Sequence, residues 1–207
     1  MDFSEKKERN IALLSWESRF EIAKSETTLP NILKSLAIFE EDWVILKEIC
    51  KNPNICNDAL KILALKKNWL IRVDVAKKSN LSVEVLQILA KDNDWAIRKL
   101  VALNPASTEQ ILTELSFDPD FLVKNSVPLN PSAPKKLLLI MSDDQSYIVR
   151  KNVASNPNSD SQILSSLSED LMAGVRVEVA KNKNTPKDIL TALACDISSS
   201  VRRATER

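Results

Sequence analysis

The sequence predicts an all-α repeat solenoid, and three observations carry that prediction. An aromatic residue opening a helical stripe returns at Trp43, Trp69, Trp95, Phe121 and Tyr147, a constant spacing of 26 residues that Ala173 continues. A fixed period in this range marks a stack of like units, each too small to bury its apolar face alone. Within each unit two short apolar stripes of helical spacing are separated by turn residues such as Asn104-Pro105. Glycine occurs once in 207 residues, at Gly174. That scarcity argues against hairpin-rich β folds and against Gly-rich phosphate loops.

In chain order, residues 1–15 form an N-terminal cap segment, in which Ile11 to Leu14 end a short amphipathic helix that would give the array a polar outer face. A single repeat array occupies 16–207. Its units start at Trp16, Trp43, Trp69, Trp95, Phe121, Tyr147 and Ala173, with a partial unit from Ser199. The first unit carries one extra residue in the stretch Ile38–Asp42.

The unit at Trp95 shows the logic. Ile97, Val101 and Ala102 fall on one helical face. Asn104-Pro105 ends that helix, because proline disfavours the α conformation of the residue before it. Ser107 to Gln110 fits a capping box, and Ile111, Leu112 and Leu115 form the second stripe. In the last full unit Thr185 is expected to cap the second helix, with Pro186 at its first position and Asp188 in its first turn. Neither helix is long enough to be stable alone in water, so each depends on its neighbours. The array is thus about seven 26-residue two-helix repeats, and the residues leave open whether one helix per repeat is 3₁₀.

Composition sets the function classes. Net charge is +1, so nothing draws the whole chain to nucleic acid or membrane. Charge is uneven, however: 43–99 carries +5 and 100–146 carries −3. Three cysteines, none in a CxxC pair, suggest a reducing, cytoplasmic compartment. No apolar run reaches a membrane span. There is no histidine, which removes imidazole-based triads and His-ligated zinc. The expectation is a non-enzymatic chain with no cofactor and no metal.

The pattern Val175-Arg176, Val179-Ala180, Asn182, Thr185-Pro186, Ile189-Leu190, Leu193-Ala194, Asp196 recurs from Val149-Arg150 to Asp170. In this it resembles the variant leucine-rich repeat family of bacterial proteins, related in style to HEAT-type helical repeats. The resemblance covers Trp16 to the C-terminus. It implies a right-handed superhelix used as an interaction surface. Some members carry a Cys-rich iron–sulfur segment before the repeats; no cysteine precedes Cys50 here, so that feature does not carry over.

Two columns of residues stand out. Basic residues recur at Arg19, Arg72, Arg98, Lys124, Arg150, Arg176 and Arg202, broken by Leu46. Acids stand six places before five of them, at Asp92, Asp118, Asp144, Asp170 and Asp196. This reads as a structural ladder resembling that of HEAT repeats, in preference to a phosphate-binding stripe. The aromatic column reads as inter-unit packing, or as an exposed ladder that meets a partner. Trp43, Lys66, Lys67, Trp69, Lys77, Lys78 and Trp95 interleave base and aromatic and are the candidate partner-binding residues. Asp58, Glu84, Gln110, Lys136, Gln162 and Asp188 form a varied row on the second helices. The functional expectation is a scaffold that presents this surface to a protein partner. The alternative is nucleic-acid backbone binding through the basic patch in 43–99, and end-to-end self-association through the C-terminal repeat is a further option.

Overall fold

The computed structural model describes residue 11 and residues 13–206. Most of the expected cap segment therefore lies outside the described residues. Two compact lobes divide the chain, Met1–Val101 and Ala102–Arg207, and no strand occurs among the described residues. The N-terminal lobe holds α1 (Trp16–Lys24), α2 (Pro30–Phe39), α3 (Trp43–Lys51), α4 (Asn57–Leu63), α5 (Trp69–Ala76) and α6 (Val83–Leu89). The lobe division falls within α7 (Trp95–Leu103). The C-terminal lobe continues with α8 (Glu109–Leu115), α9 (Phe121–Lys124), a 3₁₀ helix (Val127–Leu129), α10 (Lys135–Met141) and α11 (Tyr147–Ser155). It ends with α12 (Ser161–Leu167), α13 (Ala173–Lys181), α14 (Lys187–Leu193) and α15 (Ser199–Ala204).

The repeat is two-helical, as its period predicts. Both helices of a repeat are α, and among the described residues the 3₁₀ form is confined to Val127–Leu129. The cause is Pro128, which has no N–H and would clash with the carbonyl four residues back. It stops α9 after one turn and leaves the chain to continue in the tighter helix.

In the N-terminal lobe first helices pack on first helices (α1 on α3, α3 on α5), and second helices on second helices (α2 on α4, α4 on α6). In the C-terminal lobe α11 packs on α13 and α13 on α15. The apolar stripes meet between these layers. Ile71, Val75 and Ala76 of α5 are buried, as are Val175, Val179 and Ala180 of α13. On second helices the buried triplet is Val85, Leu86, Leu89 or Ile163, Leu164, Leu167. Each such aliphatic side chain contributes about 1.5–3 kcal/mol on burial.

The turns inside the repeats differ from the sequence reading in two places. The N-cap of α8 is Thr108, whose hydroxyl accepts from the Ile111 N–H at 3.4 Å, while Ser107 is buried behind it. Thr185 does not cap α14. Its hydroxyl donates back to the Val179 carbonyl of α13 at 2.6 Å, and Ser159 does the same to Val153 of α11. These hydroxyls close the turn onto the first helix and satisfy a carbonyl at its free end.

At Asn52, Asn130, Asn156 and Asn182 a buried asparagine stitches its repeat to the one before. The Asn156 amide donates to the carbonyls of Pro128 (2.6 Å) and Asn130 (3.0 Å), and its oxygen accepts from the Asn158 N–H (2.7 Å). Asn52, Asn130 and Asn182 make the equivalent pair of bonds in their own lobes.

Candidate interaction edge

Within each lobe the charged column is built on the loops that join one repeat to the next. Arg150 shows the arrangement. Its Nε and Nη2 donate to the two carboxylate oxygens of Asp170 at 2.6 and 3.1 Å. Its Nη1 donates to the main-chain carbonyls of Asp144 (2.7 Å) and Gln145 (3.1 Å). One guanidinium thus ties two successive loops together. Asp170 also accepts from the Met172 N–H at 2.8 Å, fixing the turn into α13.

The same pairing joins Arg72 to Asp92, Arg176 to Asp196, Lys124 to Asp144 and, in the first repeat, Arg19 to Glu40. The register differs from the one the sequence suggested. Glu40, after the one extra residue of the first unit, bonds the base twenty-one residues before it, and each of these aspartates bonds the base twenty residues before it. The base six residues after it takes only the acid's main-chain carbonyl, as Arg98 does at Asp92 O and Arg202 at Asp196 O. The earlier acid is turned away into its own loop, where Asp118 accepts from the Asp120 N–H and Asp144 from the Ser146 N–H.

The hydrogen bonds they donate to the partner acid raise Arg72, Arg150 and Arg176 above the usual guanidinium value. The Arg176 hydrogen bond pulls Asp196 below the ordinary carboxylate range. At Asp170 burial pushes upward, but the bonds from Arg150 and the Met172 N–H and the charges of Arg150 and Arg176 outweigh it, so its pKa is also lowered. These guanidinium groups are committed to internal bonds and are not presented to phosphates.

Lys66 occupies the acid's place in its loop, and its role is internal. The ammonium donates to the Glu40 carbonyl at 2.8 Å and to the Glu41 carboxylate at 3.1 Å, at the C-terminal end of α2, with its side chain only 10% exposed. It stands in the favourable place for a cation at a helix end. It is not a surface base, which corrects the expectation for this residue.

The aromatic column stands at the first position of the first helices. Trp16, Trp43, Trp69, Trp95, Phe121 and Tyr147 are all 40–52% exposed. Each ring covers part of its repeat and shows the remainder to solvent; Trp16 stacks on Phe20 at 5.0 Å between centroids. The loops between them add apolar tips. Leu65 and Phe117 are largely exposed, and Leu171 and Ile197 are 96% and 93% exposed. Beside Leu65 lies an open groove of about 280 Å³ lined by Lys67, Arg72, Ile88 and Lys91.

The seven candidate partner-binding residues do not come together. Trp43, Trp69, Trp95 and Lys67 share the loop edge. Lys77 and Lys78 follow the last residue of α5, about 12 Å along the helix from Trp69. Further bases of the segment are neutralised locally, Lys51 by Glu48 and Lys61 by Asp58. The bases expected to form a patch over 43–99 are thus divided between the two ends of α5, and a nucleic-acid surface is not supported. On the second helices all six residues of the varied row, Asp58 to Asp188, are exposed.

The cysteines are dispersed. Cys50 is buried and desolvation pushes its thiol up to about 11; Cys56 lies 3.7 Å from the Pro30 carbonyl; Cys195 is exposed. Among the described residues no three His, Cys, Asp or Glu side chains are grouped to hold a metal. Nor is any helix among them long and apolar enough to cross a membrane.

No protein-family model matches this sequence, and no curated protein matches it. Among solved structures, one described as a leucine-rich repeat variant with a novel repetitive protein structural motif aligns with a TM-score of 0.67. The alignment covers 98% of this chain and 80% of that one at 22% identity. A likeness at that identity concerns the fold.

Proposed function

We propose that this chain, which has the fold of that leucine-rich repeat variant, is a non-enzymatic interaction module that binds a protein partner along its inter-repeat loop edge. The observation that carries the reading is the aromatic column, held half-exposed at equivalent positions of successive repeats. Tryptophan and tyrosine give large contact area at small entropic cost and dominate interface energetics. The arginines that bond the adjoining loops are used internally, so those loops are tied in place before a partner arrives, which lowers the cost of binding. The free thiols support a reducing, cytoplasmic setting.

The test compares affinity capture by the intact chain with capture by Trp43→Ser/Trp69→Ser, after circular dichroism shows that the variant is folded. A second variant, Glu84→Lys/Gln110→Lys, alters the exposed second-helix row and serves as the control. Loss of the captured protein from the tryptophan variant alone supports the edge. Equal capture by wild type and tryptophan variant, or loss only from the control, overturns it.

A further inference from the structure

Two open grooves of the N-terminal lobe share one wall, the loop that carries Leu65 at its tip. One groove, of about 280 Å³, lies between this loop and the next, with Ile88, Lys67 and Lys91 in its lining. The other, of about 420 Å³, lies toward the loop before and is lined by Glu41, Ile62, Leu65, Lys66 and Lys67. Leu65 is 70% exposed between them, and Ile62 and Ile88 are half-buried. Both grooves therefore have apolar surface that water covers poorly.

The charges around them do not cancel. Lys66 is paired with Glu41 at 3.1 Å and Arg72 with Asp92 at 2.6 Å. Lys67 and Lys91 are exposed, and neither has an ion pair among the described residues. Two positive charges thus stand uncompensated beside apolar surface. The wall itself is fixed. Arg72 Nη1 donates to the carbonyls of Lys66 and Lys67, both at 2.9 Å, and the Lys66 ammonium donates to the Glu40 carbonyl at 2.8 Å. A groove held in this way needs little ordering when it is filled.

We propose that these grooves hold an acidic segment of the protein partner. Large apolar side chains of the segment fill the space on either side of Leu65, and its Asp or Glu carboxylates pair with Lys67 and Lys91. Charge complementarity selects this occupant. A nucleic-acid backbone asks for a track of cations. Here two ammonium groups flank apolar surface, and Lys77 and Lys78 stand at the other end of α5. The proposal rests on the reading of the loop edge as the binding surface, and it names the chemistry of the partner there.

The experiment pans a random peptide library, displayed on phage, against the full chain. Enriched peptides are synthesised with a fluorophore and titrated by anisotropy at low and moderate salt. They are expected to carry Asp or Glu around one or two large apolar residues, and to bind more weakly as salt screens the lysines. Lys67→Glu/Lys91→Glu should weaken them by at least about tenfold. Leu65→Ser should weaken them by at least about fivefold, through lost apolar area. Lys183→Glu/Lys187→Glu, which reverses two exposed lysines of the C-terminal lobe, should leave binding unchanged. Circular dichroism first establishes that each variant is folded. No enrichment, enriched peptides without acids, or equal binding by wild type and the Lys67/Lys91 variant overturns the proposal. So does a thymidine oligonucleotide that displaces the peptides at equal concentration, which would point to a general polyanion site. The capture test reads Trp43 and Trp69, which the library does not, so a failure here and a failure there are distinguishable.

Discussion

A double-mutant cycle on Arg150 decides between the two ways of pairing the charged column. The perturbations are Arg150→Met, Asp170→Asn and Asp144→Asn, alone and in the two combinations that contain Arg150→Met. The Arg150 and Asp170 side chains are 18% and 6% exposed, intermediate between surface pairs worth about 0–1 kcal/mol and buried ones that cost about 3–5 kcal/mol when broken. Two charge-assisted bonds at 2.6 and 3.1 Å join them. The expected coupling is about 2 kcal/mol. Arg150→Met alone should cost about 3–4 kcal/mol, because it also releases the carbonyls of Asp144 and Gln145. Asparagine at 144 keeps the main-chain oxygen that Arg150 uses, so coupling of Arg150 to the Asp144 side chain should stay below about 0.5 kcal/mol. Urea unfolding followed by far-UV circular dichroism measures all of these, with the m-value checked across variants. A coupling to Asp144 as large as that to Asp170 would refute the twenty-residue register.

Three more outcomes follow from the same geometry. Asn156→Ala removes three hydrogen bonds and strands the carbonyls of Pro128 and Asn130, so it should destabilise by about 3 kcal/mol in the same urea assay; Asn156→Asp should be at least as costly near neutral pH, since it turns a carboxylate oxygen on those carbonyls. Acid unfolding should report the ladder: Asp170 and Asp196 titrate below their unfolded value of about 3.9, so their contribution is present above that value and is lost as pH falls through the native pKa, a loss that Arg176→Met should shrink in pH-dependent thermal melts. Gly174→Ala should stabilise by about 0.4–1 kcal/mol, because a Cβ there meets nothing within 4 Å and its φ is not positive; a lower melting temperature would contradict it.

The helical repeat was readable because periodicity survives without tertiary information. Ile71, Val75 and Ala76 announce a buried stripe by spacing alone, and Trp69 marks where its helix begins. The loops were less readable. Ser107-Thr108 offers two adjacent hydroxyls, and only the backbone decides which one caps α8. The charged column misled because residues six apart look like the nearer pair, whereas twenty apart is nearer in space once α11 and α12 fold back. A signal was present nonetheless. Leu46 interrupts the bases and Lys66 interrupts the acids, and these two stand twenty apart. An arginine and its carboxylate are lost together, which is what true partners do. The asparagine stitch had no such contrast, since an amide's two donors to main-chain carbonyls leave no complementary residue type to notice. At the edge, sequence grouped Lys77 and Lys78 with Trp69 by closeness along the chain, but α5 carries them to its other end.

The way Arg150 divides its bonds also bears on how such a chain is assembled over generations. Its carboxylate partner, Asp170, lies within the same 26-residue module, the stretch beginning at Tyr147. Across the junction it asks only for a peptide oxygen, which every amino acid offers. A module built like this one brings both members of its ion pair and asks its neighbour only for main-chain oxygens at that joint. Duplication of such a module would leave no orphaned charge in the pair; the module with Lys66 is the exception, since its ammonium reaches the Glu41 carboxylate of the module before it. The module with Leu46 and Lys66 has exchanged both members without disturbing the pair on either side, Arg19 with Glu40 and Arg72 with Asp92. Length and surface chemistry are then free to drift module by module while the joint stays the same.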